Sequence, residues 1–354
     1  MNALILSCEA GGGSTGIPSA VKEKLEEHGH EVALFDLSSQ KGDRSRSLWK
    51  RGLRLRTETM DMEWMQKYLE EKVFDVIITT HVSAAVFLSM LRGGGVLLPR
   101  IIYVSTDYTC APFLEDTLCD DYVIPSQKLT AEFCRRGIPR DKILTMGIPV
   151  KKEFLTGREK QEAKKMLGLA ECAYCLMFRL DRIKGRQVYL TLKTLLMYLQ
   201  SDPEANLLIT DIRSDRVFNR LERKVGKHPR ITLLREVKEP AVYMKACDVV
   251  IAGAGGQIST EIAVLGTGFI QYLPGTVSER RNAEFFSRYG MSVTVKRPGH
   301  VLIRALKSLR DVSVRTDMIK AQQFHISQLA AMEVCNLTEA PMLGTADGGA
   351  TLPV

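Results

Sequence analysis

The side chains best suited to hold a nucleotide lie between Tyr243 and Asn282. The apolar run Asp248 to Ala252 is a short strand, Gly253 to Gly256 is a turn open to close backbone approach, and Gln257 onward has helical spacing. Strand, glycine turn and helix in that order aim free N–H groups and the positive end of the helix dipole at the turn, which suits a diphosphate. Gly255, Gly256, Gln257, Ile258 and Ser259 make that corner, and Glu261 lies about one turn further in, within reach of a ribose diol. Ser278, Glu279 and Asn282 precede another helix and bring a second polar set to the same cleft. The plain alternative is a turn built for tight packing alone, because many α/β proteins have one.

A second candidate group lies in the first half. The loop Ser7 to Gly16 joins the first strand to the first helix, and its glycines, Gly12 and Gly13 among them, let backbone approach another molecule at a helix N-terminus. His81 follows the strand-like VIITT, and Asp107 follows the run Ile101 to Ser105, so both sit just past strand ends on the side where a cleft forms. Each has a structural reading as well. A histidine after a strand is often a satisfied structural residue, and an aspartate before a helix is often an N-cap.

Parallel sheets covered by helices must position these groups, since apolar runs alternate with amphipathic segments throughout. Ala3 to Leu6, Val32 to Phe35, Val76 to Thr79, Ile101 to Ser105 and Ile143 to Thr145 read as strands in the first half, with a helix over Val21 to His28 stopped by Gly29. Cys175 to Phe178, Leu207 to Thr210, Ile231 to Leu234 and Val249 to Ala252 are the strands of the second half. Helices are expected around Gln187 to Leu199, Asp215 to Val225, Val242 to Ala246 and Thr316 to Val334, the last packing back across the first domain. The expected fold class is α/β, two doubly wound Rossmann-like domains over 1–150 and 151–335, with a disordered tail over 336–354. Ligands of such sheets bind at the carboxyl ends of the strands, here in the interdomain cleft.

The order of these segments resembles the processive diacylglycerol glycosyltransferase and monogalactosyldiacylglycerol synthase family, relatives of the MurG-type enzymes. YMKACDVVIAGAGGQISTE at Tyr243 to Glu261, RNAEFFSRYGMSV at Arg281 to Val293 and STDYTCAPF at Ser105 to Phe113 carry the resemblance, which extends over roughly Asn2 to Pro298. It implies the GT-B architecture and a UDP-sugar donor, with Glu261 on the ribose, backbone near Arg235 to Val237 on the base, and Ser278, Glu279 and Asn282 on the sugar. It also implies a histidine general base at the end of the first glycine loop, where this chain has Ser14. A serine has no pKa near neutrality and cannot take a proton as imidazole does, so acceptor activation falls to His81 or Asp107 with Ser14 as a hydrogen-bonding neighbour. Relatives carry a glycine-rich turn after the first strand of the second domain. Here LMFRLDRIKG replaces it, and Arg179, Arg182 and Lys184 can set full charges where the relatives use dipoles.

Composition narrows the classes. The chain has 354 residues, enough for about two domains, with 45% hydrophobic and 25% charged residues, the balance of a globular protein. No run approaches the ~18 uncharged apolar residues of a spanning helix, and MNALILSCE reads as a strand, not a signal peptide. Eight cysteines show no disulfide framework, and the lone CxxC of Cys172 and Cys175 has no second pair to complete a zinc site, so a reducing cytoplasm is expected. The net charge of +8 is concentrated in Arg44, Arg46, Lys50, Arg51, Arg54 and Arg56, interleaved with Leu48, Trp49, Leu53 and Leu55. That mixture suits an anionic membrane surface or a solvated basic face, and no helix-turn-helix, zinc-finger or RNA-binding signature points to nucleic acid. The combined expectation is hexose transfer from a UDP-sugar to a lipid hydroxyl, diacylglycerol by the resemblance, at the cytoplasmic membrane face with no metal or cofactor. The rivals are a noncatalytic binding protein that keeps the cleft and a UDP-sugar epimerase.

Overall fold

The structure, a computed structural model, describes residues 1–7, 16–37, 62–156, 159–180, 183 and 185–340. The first sheet is built from β1 (Asn2–Ser7), β2 (Glu31–Asp36), β3 (Val76–Thr79), β4 (Arg100–Val104), β5 (Asp121–Ile124) and β6 (Ile143–Thr145), in the order β2-β1-β3-β4-β5-β6. The second is built from β7 (Tyr174–Arg179), β8 (Ala205–Thr210), β9 (Ile231–Leu233), β10 (Val249–Ala252), β11 (Gly268–Tyr272) and β12 (Val293–Val295), in the order β12-β11-β10-β7-β8-β9. The described pairings are parallel, with Ile5 opposite Ile78 in the first sheet and Ile251 opposite Phe178 in the second. Central strands of such sheets are covered on both faces and read as continuous apolar runs. Ala3 to Leu6 and Val249 to Ala252 are accordingly buried along their whole length.

Strand order reverses between β1 and β3 in one sheet and between β7 and β10 in the other. Such switch points open a crevice at the carboxyl ends of the strands, because the connections on either side leave in opposite directions. The Gly12–Ser14 loop leaves β1 and lies outside the described residues, as do Arg182, Lys184 and the basic segment 38–61.

Three strands escape the apolar-run reading. β5 is short and begins on an aspartate, β12 has three residues, and β11 begins at Gly268, where a Cβ would meet the Asp248 carbonyl oxygen at 2.6 Å. The expected helix over Thr316 to Val334 is two, Val312–His325 and Ala330–Glu339. The break at 326–329 lets the second helix cross to the first domain, where it packs on the helix Gly16–Glu27. Gly147, at φ +102°, makes the close approach possible: a Cβ there would lie 3.2 Å from the Cβ atoms of Ser327 and Ala330. Arg100 Nη1 donates to the carbonyls of Leu337 and Ala340 at 2.9 and 3.0 Å and satisfies the end of this helix. The expected tail over 336–354 is therefore corrected at its start, since 336–339 are helical, and 341–354 lie outside the described residues. Among the described residues no helix is long and apolar enough to cross a membrane.

Candidate functional site

β10 ends at the glycine turn, and Gly255, in extended backbone, caps a helix over Gly256–Leu265. Glycine is required at Gly256 because the chain meets another strand end there: a Cβ would lie 2.1 Å from the Thr106 carbonyl oxygen and 2.8 Å from the Asp107 Cα. The loop after β4 thus inserts into the glycine turn of the second sheet. Asp107 Oδ1 accepts from Gly256 N at 3.1 Å and from Asn282 Nδ2 at 2.6 Å. The N-terminal N–H that would face a diphosphate already faces a carboxylate.

Asn282 completes this junction. Its Oδ1 accepts from Tyr108 N at 2.7 Å and its Nδ2 also donates to the Ala254 carbonyl at 2.8 Å, so every polar atom of a fully buried amide is used. Tyr108 stacks on Phe285 at 4.8 Å between ring centroids, meets Phe286 edge-on at 4.9 Å, and shares a 2.8 Å hydrogen bond with Thr260 Oγ1. Nothing about Tyr108 announces this role in the sequence beyond its place beside Asp107. Gly16 faces the second domain as well: a Cβ there would fall 1.5 Å from Gln257 Nε2, so the N-terminus of the first helix abuts the side chain of Gln257.

One turn into the helix, Glu261 is 7% exposed and its Oε1 accepts from Gln257 Nε2 at 2.7 Å. Burial pushes its carboxyl up to about 7, against the opposing pull of the Gln257 hydrogen bond and the Arg179 charge. Arg179 closes β7 across the switch point, and its Nε donates to Asp211 Oδ2 at 2.8 Å. Asp211 is held in the left-handed region at φ +60° and also accepts from Thr210 Oγ1 at 2.8 Å. An aspartate tolerates that backbone better than most residues. Arg179, Gln257 and Glu261 therefore form one polar group at the carboxyl ends of β7 and β10.

The other expected residues divide. Ile258 is nearly buried, and Ser259 is fully buried with its hydroxyl accepting from Gln271 Nε2 at 3.0 Å, in the interior. Glu279 caps its own helix, accepting from Gly275 N at 2.8 Å and Thr276 N at 3.0 Å in a capping box, while Ser278 is half-buried beside it. Arg235 is exposed, pairs with Asp215 and lies 4.0 Å over the Phe218 ring, and Val237 is half-buried in the segment leading to the helix Pro240–Ala246. His81 is the N-cap of the helix Val82–Gly93, its Nδ1 accepting from Ser83 N at 3.2 Å. A neutral ring that accepts through Nδ1 carries its proton on Nε2, so His81 takes a proton at Nε2 only by moving the one on that atom to Nδ1 and losing the cap. Asp107 meets the donor corner; the structure places His81 at the switch point of the first sheet, after β3.

The family model described as monogalactosyldiacylglycerol (MGDG) synthase matches residues 34–150. A processive diacylglycerol beta-glucosyltransferase of Bacillus pumilus (strain SAFR-032) is 23% identical over 230 residues, 64% of this chain and 59% of that relative, so the chain spans under two thirds of its length. Among solved structures, Acinetobacter baumannii MurG superposes with a TM-score of 0.65 at 14% identity, over 96% of this chain and 99% of that one. The UDP-GlcNAc 2-epimerase of Neisseria meningitidis, solved bound to UDP-GlcNAc, superposes with a TM-score of 0.67 at 14% identity, over 95% and 99%. The fold is GT-B, with two Rossmann-like sheets facing a common cleft.

Proposed function

We propose that this chain, a divergent member of the monogalactosyldiacylglycerol synthase and processive diacylglycerol glycosyltransferase family, transfers a hexose from a UDP-sugar to a lipid hydroxyl, with diacylglycerol as the acceptor. The observation that carries the reading is Glu261, a buried carboxyl one turn inside a helix that starts at a glycine turn on a switch point. Ribose hydroxyls are donors that a poised carboxylate accepts, and charge-assisted bonds of this kind are among the strong ones. Backbone near Arg235 to Val237 takes the base, and Ser278 is the residue left to face the sugar. Helix dipole and Arg179 neutralise the leaving diphosphate without a metal.

Asp107 then has two positions. In the structure it caps Gly256; a donor diphosphate takes over that N–H and leaves the carboxylate in the cleft, where it accepts the proton of the acceptor hydroxyl as the sugar–phosphate bond breaks. His81 and Ser14 orient the acceptor. A noncatalytic reading draws on the same contact, since a corner already filled by Asp107 can persist as a structural joint. Glycolipid formation from UDP-glucose or UDP-galactose in diacylglycerol-containing vesicles is the experiment that separates the two.

Action at a membrane surface rests on the basic segment. Neutralising Arg44, Arg46, Lys50 and Arg51 is expected to reduce sedimentation with anionic vesicles and to leave neutral vesicles little changed, because each cation contributes about 1 kcal/mol near an anionic surface. Equal sedimentation of variant and parent would assign the segment to a solvated face.

A further inference from the structure

Two histidines meet the last turn of the C-terminal helix at the amino ends of the strands, the edge of the first sheet opposite the cleft. Glu339 Oε1 lies 3.2 Å from His28 Nδ1 and 2.7 Å from His30 Nε2, and Cys335 Sγ lies 3.9 Å from the same oxygen. The ligand atoms of His28, Cys335 and Glu339 all fall within 4.8 Å of one another. Three local features build the cluster. Gly29, at φ +80°, reverses the chain between the two histidines, so that both rings reach one carboxylate. Cys335 and Glu339 are four residues apart and share a helix face. The helix that carries them is held on the first domain by the Arg100 bonds to Leu337 and Ala340.

The donor set is informative. An imidazole nitrogen, a carboxylate oxygen and a fully buried sulfur are ligands of zinc and its neighbours, whereas magnesium and calcium take oxygen. Zinc bonds of about 2.0–2.1 Å to nitrogen and about 2.3 Å to sulfur place tetrahedral ligand atoms roughly 3.3–3.8 Å apart; the 3.2 Å from His28 Nδ1 and the 3.9 Å from Cys335 Sγ to Glu339 Oε1 bracket that range, whereas the 2.7 Å from His30 Nε2 is a hydrogen bond. Lys24, in the last turn of the first helix, is paired with Glu27 at 2.6 Å, so its charge is offset locally. We propose that His28, Cys335 and Glu339 bind one zinc-class divalent cation, with His30 behind them hydrogen-bonded to Glu339, and that the ion fastens the C-terminal helix to the first domain. Binding forms three bonds from protein to metal and releases the thiol proton to solvent.

The test uses the full chain, stripped with a chelator and titrated with ZnCl2 and separately with CoCl2. One equivalent of zinc per chain, a rise in Tm and a thiolate-to-cobalt charge-transfer absorption are expected. Cys335→Ser should lose that absorption, His28→Ala should weaken zinc by more than about a hundredfold, and His30→Ala, which removes an outer partner of Glu339, should cost about 10- to 100-fold. Cys172→Ser, at an exposed cysteine outside the cluster, should leave both unchanged. The His28 side chain is 30% exposed, so its variant reads affinity where folding is not at risk. A parent protein without the cobalt–thiolate absorption, or zinc affinity that survives both histidine variants, would overturn the site and leave a metal-free hydrogen-bonded clasp.

Discussion

Glu261→Gln is expected to weaken UDP about tenfold or more and, at the same time, to stabilise the protein above pH 7. The first effect follows from replacing a carboxylate acceptor by a neutral one, as hydrogen bonds to charged groups contribute about 1.5–3 kcal/mol. The second follows from burial. The folded protein holds the Glu261 carboxyl at about 7 and the unfolded chain at the ordinary value of 4.5, so between those values the folded state binds the extra proton. Stability therefore falls as pH rises through that window, and the deficit, on the order of 3 kcal/mol, is complete above pH 7. Gln removes it while its own oxygen still accepts from Gln257. Denaturant titration at pH 8 should show the gain and at pH 4 should show little. The parent's UDP affinity should in turn decline below pH 7 as the carboxyl protonates, and that dependence should vanish in the variant. Unchanged affinity in calorimetry together with equal stability at both pH values would remove Glu261 from the site.

Asp107→Asn should separate binding from turnover. The amide keeps an oxygen for Gly256 N but sheds a charge close to where the diphosphate enters, so UDP should bind several-fold tighter, two unit charges at about 4 Å repelling by roughly 1–4 kcal/mol between bulk water and an effective dielectric of 20. Turnover should fall by about a hundredfold to ten-thousandfold, the usual contribution of a positioned general base. Tighter donor binding with lost transfer supports the two positions of Asp107. Weaker binding with lost stability would instead make it a joint between the domains, like Asn282.

Much of the donor side is legible in the sequence because its parts are local. The run Val249 to Ala252, the glycines after it and Glu261 one turn on are fixed by strand and helix geometry alone, and the structure places them as one element pair. The first-sheet strands β1 to β4 are likewise continuous apolar runs. What stays hidden depends on contacts between distant segments. Asp107 reads equally well as an N-cap or a catalytic group until it is seen to cap Gly256, a residue 149 positions away in another sheet. Ser259 and Asn282 sit where polar ligand contacts are expected, yet both are buried among partners from other elements, Gln271 for one and Tyr108 for the other. The helix Ala330–Glu339 shows no sign of its destination, because its footing on Arg100 and on the first helix is set by the fold.

The central claim is transfer, and glycolipid synthesis by the parent chain measures it most directly. Purified protein is incubated with UDP-glucose or UDP-galactose and vesicles containing diacylglycerol and anionic lipid, and UDP release and glycolipid are followed together. The account predicts both products in equal amounts, with activity lost in Asp107→Asn and reduced in Glu261→Gln. Calorimetric binding of the UDP-sugar with no glycolipid, in the parent and in Ser14→His alike, would contradict it and leave a protein that keeps the cleft without the chemistry.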